Sequence, residues 1–125
     1  MNRVTEPRKI IIPDEWENFL QEFSERNRAR RARFQIFVNG EMNEEEQEAH
    51  LENITLEKRN GENQVNVVRI DKADEKNEKM TDTIKNVHGI VVQYETDGSE
   101  NVLELGDDKG KLTSLRFESE LDGAS

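Results

Sequence analysis

Apolar side chains recur along this chain with two different periods, and the change from one to the other falls near residue 30. In 13-PDEWENFLQEFSERNR-28 the large residues Trp16, Phe19, Leu20 and Phe23 stand at i, i+3, i+4 and i+7, the spacing that gathers side chains onto one face of an α-helix. Pro13 suits the first turn, where its missing N–H is no loss, and Asp14, Glu15 and Glu17 put negative charge at the positive end of the helix dipole. Arginines gather at the other end, beside the exposed carbonyls. The pattern predicts an amphipathic helix whose aromatic stripe is a core face.

Beyond Arg33 the period becomes two. Phe34, Ile36 and Val38 alternate with their neighbours, and Asn39-Gly40 closes the run with residues that tolerate positive φ. The block 41-EMNEEEQE-48 reads as a solvated acidic loop. Leu51, Ile54 and Leu56 then predict a strand, although the three-residue step from Leu51 to Ile54 breaks simple alternation. Asn60-Gly61 turns this strand into 64-QVNVVRI-70, a hairpin in outline, and 71-DKADEKNEKM-80 reads as a second charged loop. The β-branched run 87-VHGIVVQY-94, the return 101-NVLEL-105 and the closing 112-LTSLRF-117 follow, separated by turn signals at Asp97-Gly98 and 107-DDKG-110.

One helix followed by strands joined through short turns predicts an α+β domain over residues 10–117, with the helix packed on an antiparallel sheet of five or six strands. Residues 1–9 and 118–125 are expected to be a flexible N-terminus and a flexible tail.

Composition narrows the functional field. Charged residues make up 37% and apolar ones 32%, so folding depends on the regular placement of few apolar groups. The absence of cysteine excludes disulfides, thiolate metal sites and cysteine nucleophiles, and fits a reducing cytoplasm. No segment reads as a secretory signal or a membrane span, so a soluble cytoplasmic protein with no membrane partner is expected. A formal net charge of −10 sets most of the surface against nucleic-acid phosphates, and no nucleic-acid partner is expected.

The segment 10-IIIPDEWENFLQEFSERNR-28 resembles the opening of a family of small bacterial proteins known as a domain of unknown function. The residues that carry the resemblance are Ile11, Pro13, Glu15, Trp16, Phe19, Leu20, Phe23, Ser24 and Arg28, and the later 51-LENITLEKRNGENQVNVV-68 and 115-LRF-117 are similar to the family in layout. The acidic stretch from Glu41 to Glu48 looks longer than the family's usual connection. The resemblance implies an α+β fold and no activity.

Candidate chemistry is sparse. His50 and His88 have no second histidine at metal-binding spacing, and His88 beside Gly89 reads as a structural or surface residue. No Gly-x-Ser-x-Gly elbow, phosphate loop or dinucleotide fingerprint occurs, so no enzyme and no cofactor are expected. Two charged sets stand out. Glu95, Asp97, Glu100, Asp107 and Asp108 could bind a divalent cation such as calcium if the two hairpin turns that carry them were adjacent; otherwise they are turn chemistry. Arg26, Arg28, Arg30, Arg31 and Arg33 crowd into eight residues, either as local partners of the surplus acids or as a docking patch for an acidic protein or a second copy. The leading expectation is a non-catalytic protein-binding or accessory module, monomeric or weakly dimeric, with an unknown protein partner. A calcium-binding protein and an acidic mimic of nucleic acid are the alternatives.

Overall fold

A computed structural model describes residues 7–46, 48–72 and 76–118. Among them the chain forms strand β1 (Arg8–Ile11), a single 3-10 turn (Pro13–Glu15), helix α1 (Trp16–Arg26), and strands β2 (Arg31–Val38), β3 (Glu41–Glu44), β4 (Ala49–Arg59), β5 (Glu62–Asp71), β6 (Glu78–Ile84), β7 (Val87–Tyr94), β8 (Glu100–Asp107) and β9 (Leu112–Phe117). The fold is α+β, and mostly sheet.

The strands run β1-β7-β8-β9-β2-β4-β5-β6, with β3 pairing β2 beside this path, and every pairing is antiparallel. β6, at the end of the path, is joined to β7, near its beginning, by only Lys85 and Asn86. The sheet must therefore curl until its two flanks come together, and β5 does contact β7. β2 carries the bend: its first residues, Arg31 and Ala32, pair with β4, whereas Gln35 to Val38 pair with β3. The acidic segment between β3 and β4 is the corner where the chain passes from one half of the sheet to the other.

Nine strands replace the five or six expected, and the three additions, β1, β3 and β6, all lie at edges. Edge strands need little apolar content because one side of their ladder is open, and charge there discourages pairing with other chains. β3, Glu-Met-Asn-Glu, is exposed throughout, and β6 keeps only every second residue partly covered. Charge density thus marks edges here rather than loops. Arg8 and Lys9, assigned to the N-terminal tail by sequence, lie in β1, while residues 1–6 are outside the described residues. The tail expected from Glu118 also lies outside them, except for Glu118 itself, whose N–H donates to the Arg31 carbonyl at 3.0 Å.

The helix occupies the hollow of the curled sheet against β4. Trp16, Leu20 and Phe23 are buried in one cluster with Ile54, Val65, Val67, Ile90, Leu103 and Leu115, and Phe19 packs at its margin. The Trp16 indole Nε1 donates to the Ile11 carbonyl at 2.8 Å, so the largest apolar side chain of the helix is also tied to the end of β1. A register shift between Leu51 and Asn53 explains the three-residue step in β4: the bulge brings Leu51 and Ile54 to the same face. Asn39-Gly40 and Asn60-Gly61 all take positive φ, as two-residue hairpin turns require.

Replacing Trp16 by Ala is expected to remove about 3–5 kcal/mol of stability, a large share of the roughly 5–15 kcal/mol that holds a domain together. Denaturant unfolding of the variant beside the parent measures this, and a midpoint near the parent's would show that the helix does not seal the core.

Candidate functional site

Among the described residues, two regions that gather polar side chains from several elements also border an open hollow. One is the arginine corner, the other an open cleft farther along β2, at Phe34 and Ile36.

At the corner the arginines meet partners within the chain. Arg26 grips Glu100 with two hydrogen bonds, Nε to Oε1 at 3.1 Å and Nη2 to Oε2 at 2.7 Å, and the Glu100 carboxylate raises the Arg26 pKa. Glu100 also accepts from Asn27 Nδ2 at 2.8 Å. Arg30 donates to Asn27 Oδ1 at 2.8 Å and to the Glu100 carbonyl at 2.7 Å, and its guanidinium lies 4.6 Å from the centre of the Phe117 ring. Arg31 pairs with Glu118 at 2.7 Å, Arg33 with Glu48 at 3.3 Å and Glu44 at 3.8 Å, and Arg28 Nε reaches the Glu52 carbonyl at 3.3 Å. These contacts fasten the end of α1 and the start of β2 to β8, to the end of β9 and to the β3–β4 corner.

The five carboxylates weighed for calcium are divided between the two ends of β8. Glu95 and Asp97 belong to the turn before β8 and Asp107 and Asp108 end it, roughly 20 Å away at the usual rise of a strand. Asp97 Oδ1 accepts from the Ser99 N–H at 2.9 Å and the Ser99 hydroxyl at 2.7 Å, and Asp107 Oδ1 accepts from the N–H groups of Lys109 and Lys111, both at 2.9 Å. Those donors hold both carboxyls below the usual carboxylate range. Glu100 is committed to Arg26. The condition for a shared calcium site, adjacency of the turns, is not met, and among the described residues no group of three or more acidic or histidine side chains is placed to hold a metal ion. His88 is exposed and meets Asn86 Oδ1 at 3.1 Å.

The cleft has a volume of about 620 Å³ and opens between the β2–β3 hairpin, the end of β6 and the β8–β9 turn. Phe34 and Ile36 of β2, Ile84 of β6 and Leu105 of β8 give it an apolar lining. They converge because alternation in β2 turns Ala32, Phe34 and Ile36 to the hollow, and the curl brings the last residue of β6 opposite them. Asp82, Glu45, Thr113 and the lysines Lys85, Lys109 and Lys111 complete the wall.

Arg69 lies behind this wall and is 1% exposed. Its guanidinium donates to both oxygens of Glu45 at 2.9 Å, to Asp82 Oδ2 at 3.3 Å and to the Ala32 carbonyl at 3.0 Å, and it stacks 4.6 Å from the centre of the Phe34 ring. Glu45 in turn accepts the Phe34 N–H at 3.0 Å, while its own N–H donates to the Phe34 carbonyl at 2.9 Å. One carboxylate therefore bridges the corner of β2 to a cation from β5. Burial pushes the Glu45 pKa up, but the hydrogen bonds from Arg69 and from Phe34 outweigh it and leave the carboxyl below its ordinary 4.5. The reading of residues 41–48 as a solvated block missed this role. A signal was present in 64-QVNVVRI-70, where Arg69 continues the inward alternation of Val65 and Val67 and so requires a buried acid.

Comparison of the chain with known protein families, with curated proteins and with solved structures finds no match. Among the described residues no helix is long and apolar enough to cross a membrane.

Glu45→Gln is expected to cost on the order of 3 kcal/mol, because it deprives a buried guanidinium of its two-point partner. The pair Glu45→Gln with Arg69→Met should cost less than the sum of the singles; additive denaturation midpoints would show that the two residues do not act together. Acid provides a separate check. The folded-state pKa of Glu45 lies below the unfolded one, so its contribution is complete above about pH 4.5 and is lost as pH falls through the folded value. The parent should therefore lose more melting temperature than Glu45→Gln between about pH 5 and pH 3; parallel declines would contradict the assignment.

Proposed function

We propose that this chain is a non-catalytic binding module, working as a soluble cytoplasmic protein, and that it receives the apolar part of its ligand in the cleft between β2, β6 and β8. The observation that carries this reading is the convergence of Phe34, Ile36, Ile84 and Leu105 from three strands on one open volume of about 620 Å³, within the range that holds a small ligand. Arg69 and its two carboxylates brace the wall from behind, so the cleft is held open by hydrogen bonds and does not depend on side chains free to collapse into it. The contact surfaces expected from sequence are the exposed sheet face and the arginine corner, not this cleft. The guanidinium groups of the corner are turned onto Glu100, Glu118, Glu48 and neighbouring carbonyls, which favours the cleft.

A neutral, environment-sensitive fluorophore, N-phenyl-1-naphthylamine, is expected to bind saturably, and Ile36→Glu should abolish the signal while circular dichroism stays native. Ile10→Glu, on the 75% exposed Ile10 at the sheet's opposite edge, serves as control and should titrate like the parent. Absence of saturable binding to the parent, or equal binding by all three proteins, would refute the reading.

A further inference from the structure

The charges around the cleft are not evenly engaged. Each carboxylate of its lining already accepts hydrogen bonds from the protein. Glu45 and Asp82 are held by Arg69, Glu44 by Gln35 Nε2 at 2.8 Å with Arg33 nearby, and Asp107 by the amides of its own turn. The three ammonium groups of the lining, on Lys85, Lys109 and Lys111, are different: all three residues are exposed, and none makes an ion pair among the described residues.

These lysines also share one end of the cleft. Lys85 sits in the β6–β7 turn, while Lys109 and Lys111 flank the Gly110 that closes the β8–β9 turn. The two turns touch, since Asn86 Nδ2 donates to Asp108 Oδ1. That contact also occupies Asp108, the remaining acid of the two turns. Three lysines thus share this mouth with two aspartates, Asp107 and Asp108, whose oxygens are turned onto the Lys109 and Lys111 amides and onto Asn86, so the mouth keeps an excess of one positive charge beside the apolar residues of β2 and β6. Salt screens charges farther than about 8 Å, so the balance at this mouth is set by these lysines and aspartates and not by the net charge of −10 on the whole chain.

We propose that the cleft binds a single-chain amphiphile with an anionic head, carboxylate or phosphate, whose tail lies on Ile36, Ile84 and the accessible edge of Phe34, above the fully buried Leu105, and whose head is met by Lys85, Lys109 and Lys111. This rests on the reading of the cleft as a binding site and adds the charge and shape of what it takes. Lysine suits the task because its ammonium is a flexible point charge that can follow a head group of either geometry. Apolar burial supplies most of the affinity at about 0.8 kcal/mol per methylene, and the lysines discriminate among heads on the same tail.

The test is displacement of N-phenyl-1-naphthylamine by four compounds with one twelve-carbon tail, each below its micelle concentration: dodecanoate, dodecyl phosphate, 1-dodecanol and dodecyltrimethylammonium. One or both anions should displace the fluorophore at a concentration about tenfold below that of the ammonium compound, the preference expected of one charge-assisted contact. K109E/K111E should erase or reverse this order while circular dichroism stays native, and Lys85→Gln should weaken the preference partway. The proposal is overturned if the alcohol or the ammonium compound equals both anions, or if the anion preference survives K109E/K111E. Either result with intact fluorophore binding leaves the cleft a binding site; loss of fluorophore binding to the parent itself removes both readings.

Discussion

The hydrogen-bonded group formed by Arg69, Glu45, Asp82 and the Ala32 carbonyl is what the two halves of this sheet hang on. A fully buried guanidinium is tolerable only where its donors are met, and here they are met from three separate places: the β3–β4 corner, β6 and the backbone of β2. Among the described residues Nε has no partner, so the bonds to the terminal nitrogens carry the compensation for burial. The geometry is directional where a hydrophobic contact would not be. A leucine at position 69 would fill similar space but would not specify where Glu45 stands, and Glu45 is what fixes the corner by closing both a backbone and a side-chain hydrogen bond with Phe34.

The arginine corner performs a comparable task where α1 gives way to β2. Helix α1 ends at Arg26, and within the next few residues the chain must reverse into β2; Ala29 takes a φ of 75° on the way, a region that L-residues other than Asn and Asp enter at a cost. The reversal is compensated by Ala29 N–H donating to the Leu51 carbonyl at 2.7 Å and by the contacts of Arg26, Asn27 and Arg30 with Glu100. Exposed ion pairs contribute little one by one. Glu100 is only 10% exposed, however, and three donor side chains converge on this one residue, so the corner acts as a clamp on the helix terminus.

What the sequence made legible follows from the length scale of each signal. The helix was readable because four bulky side chains repeat at its own period, and the hairpin turns because Asn-Gly carries its conformational preference locally. Strands β3 and β6 were hidden because an edge strand needs few apolar residues, and Glu41, Glu44, Glu78 and Lys79 look the same in a loop as on an edge. The cleft was beyond reach for a different reason. Phe34, Ile84 and Leu105 become neighbours only through the curl of the sheet, a property of strand order that no local pattern encodes. The two charged sets drew attention by abundance, yet the structure pairs one with the other through Arg26 and Glu100.

The strand order also has a consequence for how the chain comes into being. β1 completes its ladder only on β7, and the whole inner length of β2 lies along β9, so the first strands made wait for some of the last. During vectorial synthesis the helix with Trp16, Leu20 and Phe23 therefore emerges well before the walls that enclose it. Pairings this distant along the chain place folding among the slower topologies, in the millisecond-to-second regime. The stretch from Glu41 to Glu78 carries more carboxylates than cations, and like charge of that kind opposes association between chains whose sheet is still open.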